Sequence, residues 1–204
     1  MKSLEKRKYN SEETKKALLD SAEALFTKSG FAATSTEEIA EMAGCSKSQI
    51  QYHYKSKENL WKAVIESHLG CFQEAVGKLF EGISTDRESL KECIIEFFNY
   101  LKKNPQIISI LRWSTIEGAP VDLNLKNITV KTAAEAISEA KKKGFIHEKL
   151  DSNYIVYAIL GIIFHWFDMR ETTSDPLNFD KSIDEADRDY LNTIIKIIYG
   201  GMFT

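Results

Sequence analysis

The sequence predicts an all-α protein in which a compact group of short helices precedes a set of longer ones. Three observations lead there. The 204 residues include only three prolines, Pro105, Pro120 and Pro176, so residues 1–104 hold none of these helix breakers. Apolar residues recur three and four positions apart, the spacing of one helical face. With 43% hydrophobic and 28% charged residues, the chain has ordinary globular composition and enough length to bury a core.

Element by element, a polar tail over residues 1–10 leads to Ser11, which suits the cap of a helix whose Ala17, Leu18, Ala22, Leu25 and Phe26 share a face. Gly30 supplies the stop, because helix ends often need a left-handed backbone, and Phe31 follows as an apolar contact back onto the helix. Ser35 and Glu38 have capping-box spacing at the head of a short helix that runs to Ala43. Ala43-Gly44-Cys45 makes a tight turn. Ser46 then caps a second short helix to about Tyr54, Lys55-Ser56 breaks it, and Ser56 caps a longer helix towards Gly82.

Beyond Ser84-Thr85-Asp86 the helices become longer and more apolar, at about 87–103, 105–117, 122–143, 151–170 and 183–200. The third of these closes on Lys141-Lys142-Lys143 and Gly144, cations at the negative end of the helix dipole. The expected segments are therefore a flexible tail (1–10), a helix-turn-helix domain (11–56), a connecting helix (57–83) and a helical domain (84–204).

Lys and Arg number 27 against 30 Asp and Glu, a net charge of −3 that by itself argues against a nucleic-acid partner. The distribution reads differently. Residues 1–62 carry 11 basic and 9 acidic side chains, and Met42–Lys62 holds four lysines against Glu58 alone. Cys45, Cys71 and Cys93 are odd in number and form no CxxC pair, which fits a reducing compartment better than a disulfide framework or a zinc set. The charged N-terminus leads into no apolar signal region, and the longest apolar run, Tyr154–Phe164, is too short to span a bilayer. A cytoplasmic protein without a membrane partner is expected.

The stretch Ser35–Tyr54 meets the steric demands of a helix-turn-helix. Ala40 is small where the first helix must approach the second, Gly44 sits where the turn needs a positive φ, and Ile39, Ala43, Cys45 and Ile50 make a small shared core. Two helices this short need the helix from Ser11 beneath them. The second helix offers Lys47, Ser48, Gln49, Gln51, Tyr52 and His53 with no carboxylate among them. Gln can pair bidentately with adenine, Ser and His can reach base edges or phosphates, and Lys can contact guanine or phosphate. Lys57, in the first turn of the next helix beside free backbone N–H groups, suits a phosphate oxygen. The spacing alone more often marks an ordinary helical corner.

More than spacing is present. The string AEALFTKSGFAATSTEEIAEMAGCSKSQIQYHYKSKENLW, residues 22–61, resembles the TetR family of transcriptional regulators. Its markers are Phe26, Gly30-Phe31, Ser35, Ile39-Ala40, Ala43-Gly44, Ser46, Tyr52-His53-Tyr54, Lys57, Glu58 and Leu60. The resemblance covers a quarter to a third of the chain. It implies an N-terminal three-helix DNA-binding domain, a long connecting helix, and a C-terminal helical domain for ligand binding and dimerisation. Tyr52, His53 and Lys57 are then expected at the DNA backbone. Ser48, Gln49 and Gln51 are expected to read operator sequence, with Lys47, Ser35 and Thr36 also at the DNA interface. Ser48 stands where the family often has Gly, Gln51 where a phosphate-contacting Tyr is common, and Tyr54 where Phe is usual.

The expected partners are double-stranded operator DNA, a second copy of the chain and a small-molecule effector, with no cofactor and no metal. His165-x-x-Asp168 puts two metal-type ligands on one face, but a buried hydrogen-bonded His is the plainer reading. Tyr100, Arg112, Trp113, His165 and Trp166 are the candidate effector-pocket residues, although these aromatics equally suit a core. Ile155, Ile159, Ile162, Ile163, Leu191, Ile194, Ile195 and Ile198 exceed what a lone helix pair needs and are expected at a four-helix dimer interface. No Gly-rich phosphate loop, G-x-S-x-G or H-E-x-x-H motif supports an enzyme. A ligand-released repressor is the leading reading. An activator of the same architecture and a helical adaptor without DNA binding are the rivals.

Overall fold

The computed structural model describes residues 2–80, 85–118, 123–173 and 182–202. Nine helices account for most of them: α1 (Lys2–Ala33), α2 (Thr36–Met42), α3 (Lys47–His53), α4 (Lys57–Phe80), α5 (Arg87–Lys103), α6 (Pro105–Glu117), α7 (Leu123–Lys142), α8 (Ser152–Thr173) and α9 (Ile183–Met202). The all-α expectation holds among the described residues. The helix limits expected from Ser35 onward agree to within a few residues, and the loop expected over 172–180 lies almost wholly outside the described residues.

Helix α1 departs from expectation at its start. Helical structure begins at Lys2, not after Ser11. Residues 2–10 contain neither Gly nor Pro and are rich in Lys, Glu, Leu and Arg, all good helix formers, so nothing in them resists helix. At the other end Gly30 (φ 80, ψ 176) breaks the helix as expected.

Two compact units emerge. One comprises Met1–Gly70 with Ser109–Asp122, the other Cys71–Ile108 with Leu123–Thr204. Helices α4 and α6 each contribute to both.

The core of the first unit is made by Leu18, Ala22 and Phe26 of α1, Ile39 and Ala40 of α2, Ile50 of α3, and Leu60, Trp61 and Val64 of α4, all buried. Phe26 meets Trp61 edge-on, ring centroids 5.0 Å apart. Tyr54 is buried too, and its hydroxyl donates to the Lys15 carbonyl (2.8 Å).

In the second unit α5 buries Leu90, Ile94, Phe97, Phe98 and Leu101, and Phe98 packs on Phe167 of α8 at 4.7 Å. A polar network lies within this apolar body. Asp187 of α9, 1% exposed, accepts from the Trp166 indole (2.8 Å) and from Arg170 through both oxygens (3.0 and 2.8 Å). Lys102 of α5 lies 3.2 Å from Asp187 and 2.6 Å from Asp184. Trp166 also stacks on Tyr190 at 4.1 Å. Carboxylate, guanidinium and indole thus satisfy one another, which buried polar groups require.

The residues expected at a dimer surface differ in burial. Ile155, Ile163, Ile194 and Ile198 are buried inside the chain's own unit, whereas Ile159, Ile162, Leu191 and Ile195 are half-buried. Helix α8 is apolar around most of its circumference, so periodicity alone does not distinguish the side facing its own chain from the outer side. The exposed stripe of α8 is Tyr154, Ala158, Gly161 and His165, with Tyr157 beside it.

Candidate nucleic-acid interface

The capping box at the head of α2 forms as its spacing predicts. Ser35 Oγ accepts from the Glu38 backbone N–H (3.1 Å), while the Ser35 backbone N–H donates to Glu38 Oε2 (2.8 Å). The Ser35 backbone N–H, and then its hydroxyl, which also donates to Glu38 Oε2 (2.7 Å), hold the Glu38 carboxyl below the usual carboxylate range. Gly44, at φ 65, turns the chain after Met42, and the Cys45 N–H donates to the Ala40 carbonyl (3.0 Å). Ser46 occupies the N-cap of α3 by backbone conformation, but its side chain makes no capping bond. Its hydroxyl pairs with that of Ser48 (2.8 Å).

Position around α3 sorts the candidate contacts. At about 100° per residue, Ser48 and Tyr52 lie about 40° apart and centre opposite the buried Ile50. Both are exposed, Tyr52 by 67%, and exposed Lys47 and Gln51 lie together on one flank of them. Gln49 and His53 lie on the opposite flank at matching angles and are half-buried. The His53 ring meets Tyr52 edge-on at 4.8 Å. Lys47 forms an ion pair with Glu37 of α2, and that hydrogen bond is the main cause of the lowered Glu37 carboxyl pKa.

The other expected contacts, Ser35, Thr36 and Lys57, have partners within the chain. Ser35 is occupied by Glu38, and the Thr36 hydroxyl donates to Glu37 (3.0 Å). Lys57 is half-buried. Its ammonium donates to the Phe31 and Thr34 carbonyls (both 2.9 Å) and lies 4.2 Å from the centre of the Phe31 ring.

Those two carbonyls belong to a larger arrangement around Gly30 that sequence reasoning missed. The break exposes backbone groups that helix would have paired, and side chains from elsewhere in the unit take them up. The Thr34 hydroxyl donates to the Gly30 carbonyl (2.7 Å). Glu117 of α6 accepts from the Phe31 N–H (2.9 Å) and the Ala32 N–H (3.2 Å), and the Trp113 indole donates to the Thr27 carbonyl (3.2 Å). A Cβ at residue 30 would lie 2.5 Å from Glu117 Oε1 and 2.7 Å from Trp113 Cε3, so glycine is required by space as well as by φ. This clasp fixes the chain immediately ahead of α2 and therefore the setting of α2 and α3.

The five candidate pocket residues are divided between the two units. Arg112 and Trp113 belong to the first unit, where Trp113 serves the clasp. Tyr100, His165 and Trp166 belong to the second. Trp166 is buried with its N–H spent on Asp187, which makes it core, and His165 is exposed. An open groove of about 700 Å³ lies between α7 and α8, lined by Val130, Ala134, Ser138, Ser152 and Tyr157 among others, and contains none of the five. Burial pushes the Cys93 thiol up to about 11, away from the reactive thiolate form. Cys71 lies outside the side chains described. Among the described residues no three of His, Cys, Asp and Glu gather as a metal site, and no helix is long and apolar enough to cross a membrane.

A three-helix unit that holds a short, carboxylate-free polar helix outward defines a helix-turn-helix regulator. Residues 18–64 match the family described as "Bacterial regulatory proteins, tetR family". Over 202 residues the chain is 23% identical to the HTH-type transcriptional repressor NicS of Pseudomonas putida, covering 96% of this chain and 95% of that one. Its fold is similar to that of the Streptomyces coelicolor protein SCO4942, with a TM-score of 0.74 and 20% identity over 90% of this chain and 97% of that one. It is similar also to AibR, solved in complex with isovaleryl coenzyme A and operator DNA, with a TM-score of 0.72 and 20% identity over 91% and 98% of the two chains. Residues 18–64 thus carry a tetR-family DNA-binding helix-turn-helix, and along its length the chain is similar to transcriptional regulators that contain one.

Proposed function

We propose that this regulator is a homodimeric repressor of a pseudo-palindromic operator, released from DNA by a small-molecule effector. The observation that carries the reading is the outward face of α3. Lys47, Ser48, Gln51 and Tyr52 present donors, acceptors and one aromatic ring on a helix pinned by a capped turn and a full core. Ser48 and Tyr52 face the groove centrally, exposed Lys47 and Gln51 lie on one flank, and half-buried Gln49 and His53 lie on the other. Ser35, Thr36 and Lys57 act as positioning residues, since their polar groups are engaged within the protein.

Twofold pairing suits the exposed α8 stripe. Gly161 and Ala158 leave its middle nearly bare of side chain, where two helices can approach closely, with Tyr154 and His165 towards its ends. Such a pair would set two α3 helices about 34–36 Å apart, in successive major grooves. An effector bound in the second unit would favour another separation. Operator must then weaken effector binding by the same factor. NicS is named a repressor, which supports repression here.

Selection of genomic fragments with the purified chain tests this reading. Recovery of fragments sharing an inverted repeat is the expected result, and its half-site spacing reports the dimer. Retention without sequence preference, or a chain that sediments as a monomer at micromolar concentration, contradicts it.

A further inference from the structure

Among the described residues, besides the Gly30 break in α1, three helices stop at a glycine with positive φ: α2 at Gly44 (φ 65), α6 at Gly118 (φ 58) and α7 at Gly144 (φ 80). Helix α3 stops the same way, with the Tyr54 and Lys55 N–H groups both directed at the Ile50 carbonyl (2.9 and 3.2 Å), but the left-handed residue is Lys55 (φ 70). Among the described residues it is the one non-glycine with positive φ. A Cβ is disfavoured in this conformation, and glycine is the usual occupant. Folding alone therefore does not account for a lysine here, at the end of the helix that faces DNA.

The side chain's surroundings show what it can do. Lys55 is exposed, and its ammonium donates to the Tyr52 carbonyl (3.0 Å) and lies 5.9 Å from the centre of the exposed Tyr52 ring. One of three N–H donors is thus used, and the charge is held beside the outward face of α3. Among the described residues it enters no salt bridge, whereas Lys47 is paired with Glu37 and Lys57 is bonded to two carbonyls inside the fold. We infer that Lys55 is a DNA-contacting residue that binds a backbone phosphate at the C-terminal end of α3, a role that rests on the DNA-binding reading above. Its left-handed backbone directs the ammonium along Tyr52, and its charge does the work expected from sequence of Lys57.

The test measures binding of the full chain to a random-sequence duplex, and to a fragment recovered by genomic selection, across a salt series. For K55G the slope of log affinity against log salt should fall by about 0.9 per protomer, the contribution of one phosphate. The loss should be equal on both duplexes, because phosphates carry no sequence. K55R should keep the wild-type slope. The thermal midpoint of K55G should rise, since glycine suits the left-handed position, so that any loss of binding is not a loss of fold. A K55G slope equal to the wild-type slope overturns the assignment, as does a K55R slope as shallow as that of K55G. Wild-type protein that retains neither duplex overturns the DNA-binding reading and this assignment together.

Discussion

Lys57 separates two roles that sequence alone merges, and Lys57→Met tests them. Methionine preserves an unbranched stem against Phe31 but deletes the ammonium. In the folded chain that ammonium makes two hydrogen bonds of 2.9 Å to the Phe31 and Thr34 carbonyls and lies 4.2 Å from the Phe31 ring centre. Hydrogen bonds to charged groups contribute about 1.5–3 kcal/mol each, and an exposed cation–π contact about 0.5–1 kcal/mol. The site is only part-buried, so water replaces much of this and the net loss should be about 2 kcal/mol. For a chain of this size that lowers the thermal midpoint by about 4–8 °C. Urea unfolding followed by helical circular dichroism gives the stability change, and a salt-titrated duplex assay gives the DNA term. A positioning residue lowers stability and leaves the salt slope of the folded protein intact. Full stability with a slope reduced by about 0.9 would refute the inward role and restore Lys57 as the phosphate contact.

Two further outcomes follow from buried polar groups. Asp187→Leu strands Arg170, whose side chain is 14% exposed, and removes the acceptor of the Trp166 indole, so it should cost about 3–5 kcal/mol in urea unfolding. Adding Arg170→Met should recover part of that loss, and a single-mutant cost below about 1 kcal/mol would show the network to be idle. Burial, reinforced by Asp20 and Glu12, pushes the Tyr54 hydroxyl from the ordinary 10 to about 12. The folded state therefore holds this proton more tightly than the unfolded one, so the stabilisation is complete below pH 10 and is lost as pH rises towards 12. Tyr54→Phe should flatten that window in unfolding measured against pH, leaving the part due to Tyr199, which is likewise raised to about 12. An unchanged alkaline profile in the variant would contradict this.

Short-range chemistry was legible in the sequence. Ser35 and Glu38 announced the capping box, Gly44 the turn, and Gly30 the end of α1, because each depends on residues within a few positions. Long-range partnership was not. Glu117 and Trp113 meet the Gly30 break from 86 residues away, and no local pattern in α6 marks them for it. Helix α8 failed for another reason. Its apolar residues surround the helix, so the pattern names a buried helix without naming which side its own chain covers. Lys57 and Trp166 show a third limit: residue type announces a donor, but only packing shows where the donor is spent.

The clasp at Gly30 also sets what can be moved between proteins. A reading head that appears in sequence as one continuous segment is completed by a stretch of α6 that follows much later in the chain. A transplanted segment ending before residue 109 would carry Gly30 without the carboxylate and indole that fill the space beside it. Phe31 and Ala32 would then offer their N–H groups to solvent. Swapping operator specificity between relatives therefore requires exchanging only the outward residues of α3, or else taking α6 along with the whole head. Gly30, Trp113 and Glu117 form one inheritable unit, in which a change at any member limits what the other two can become.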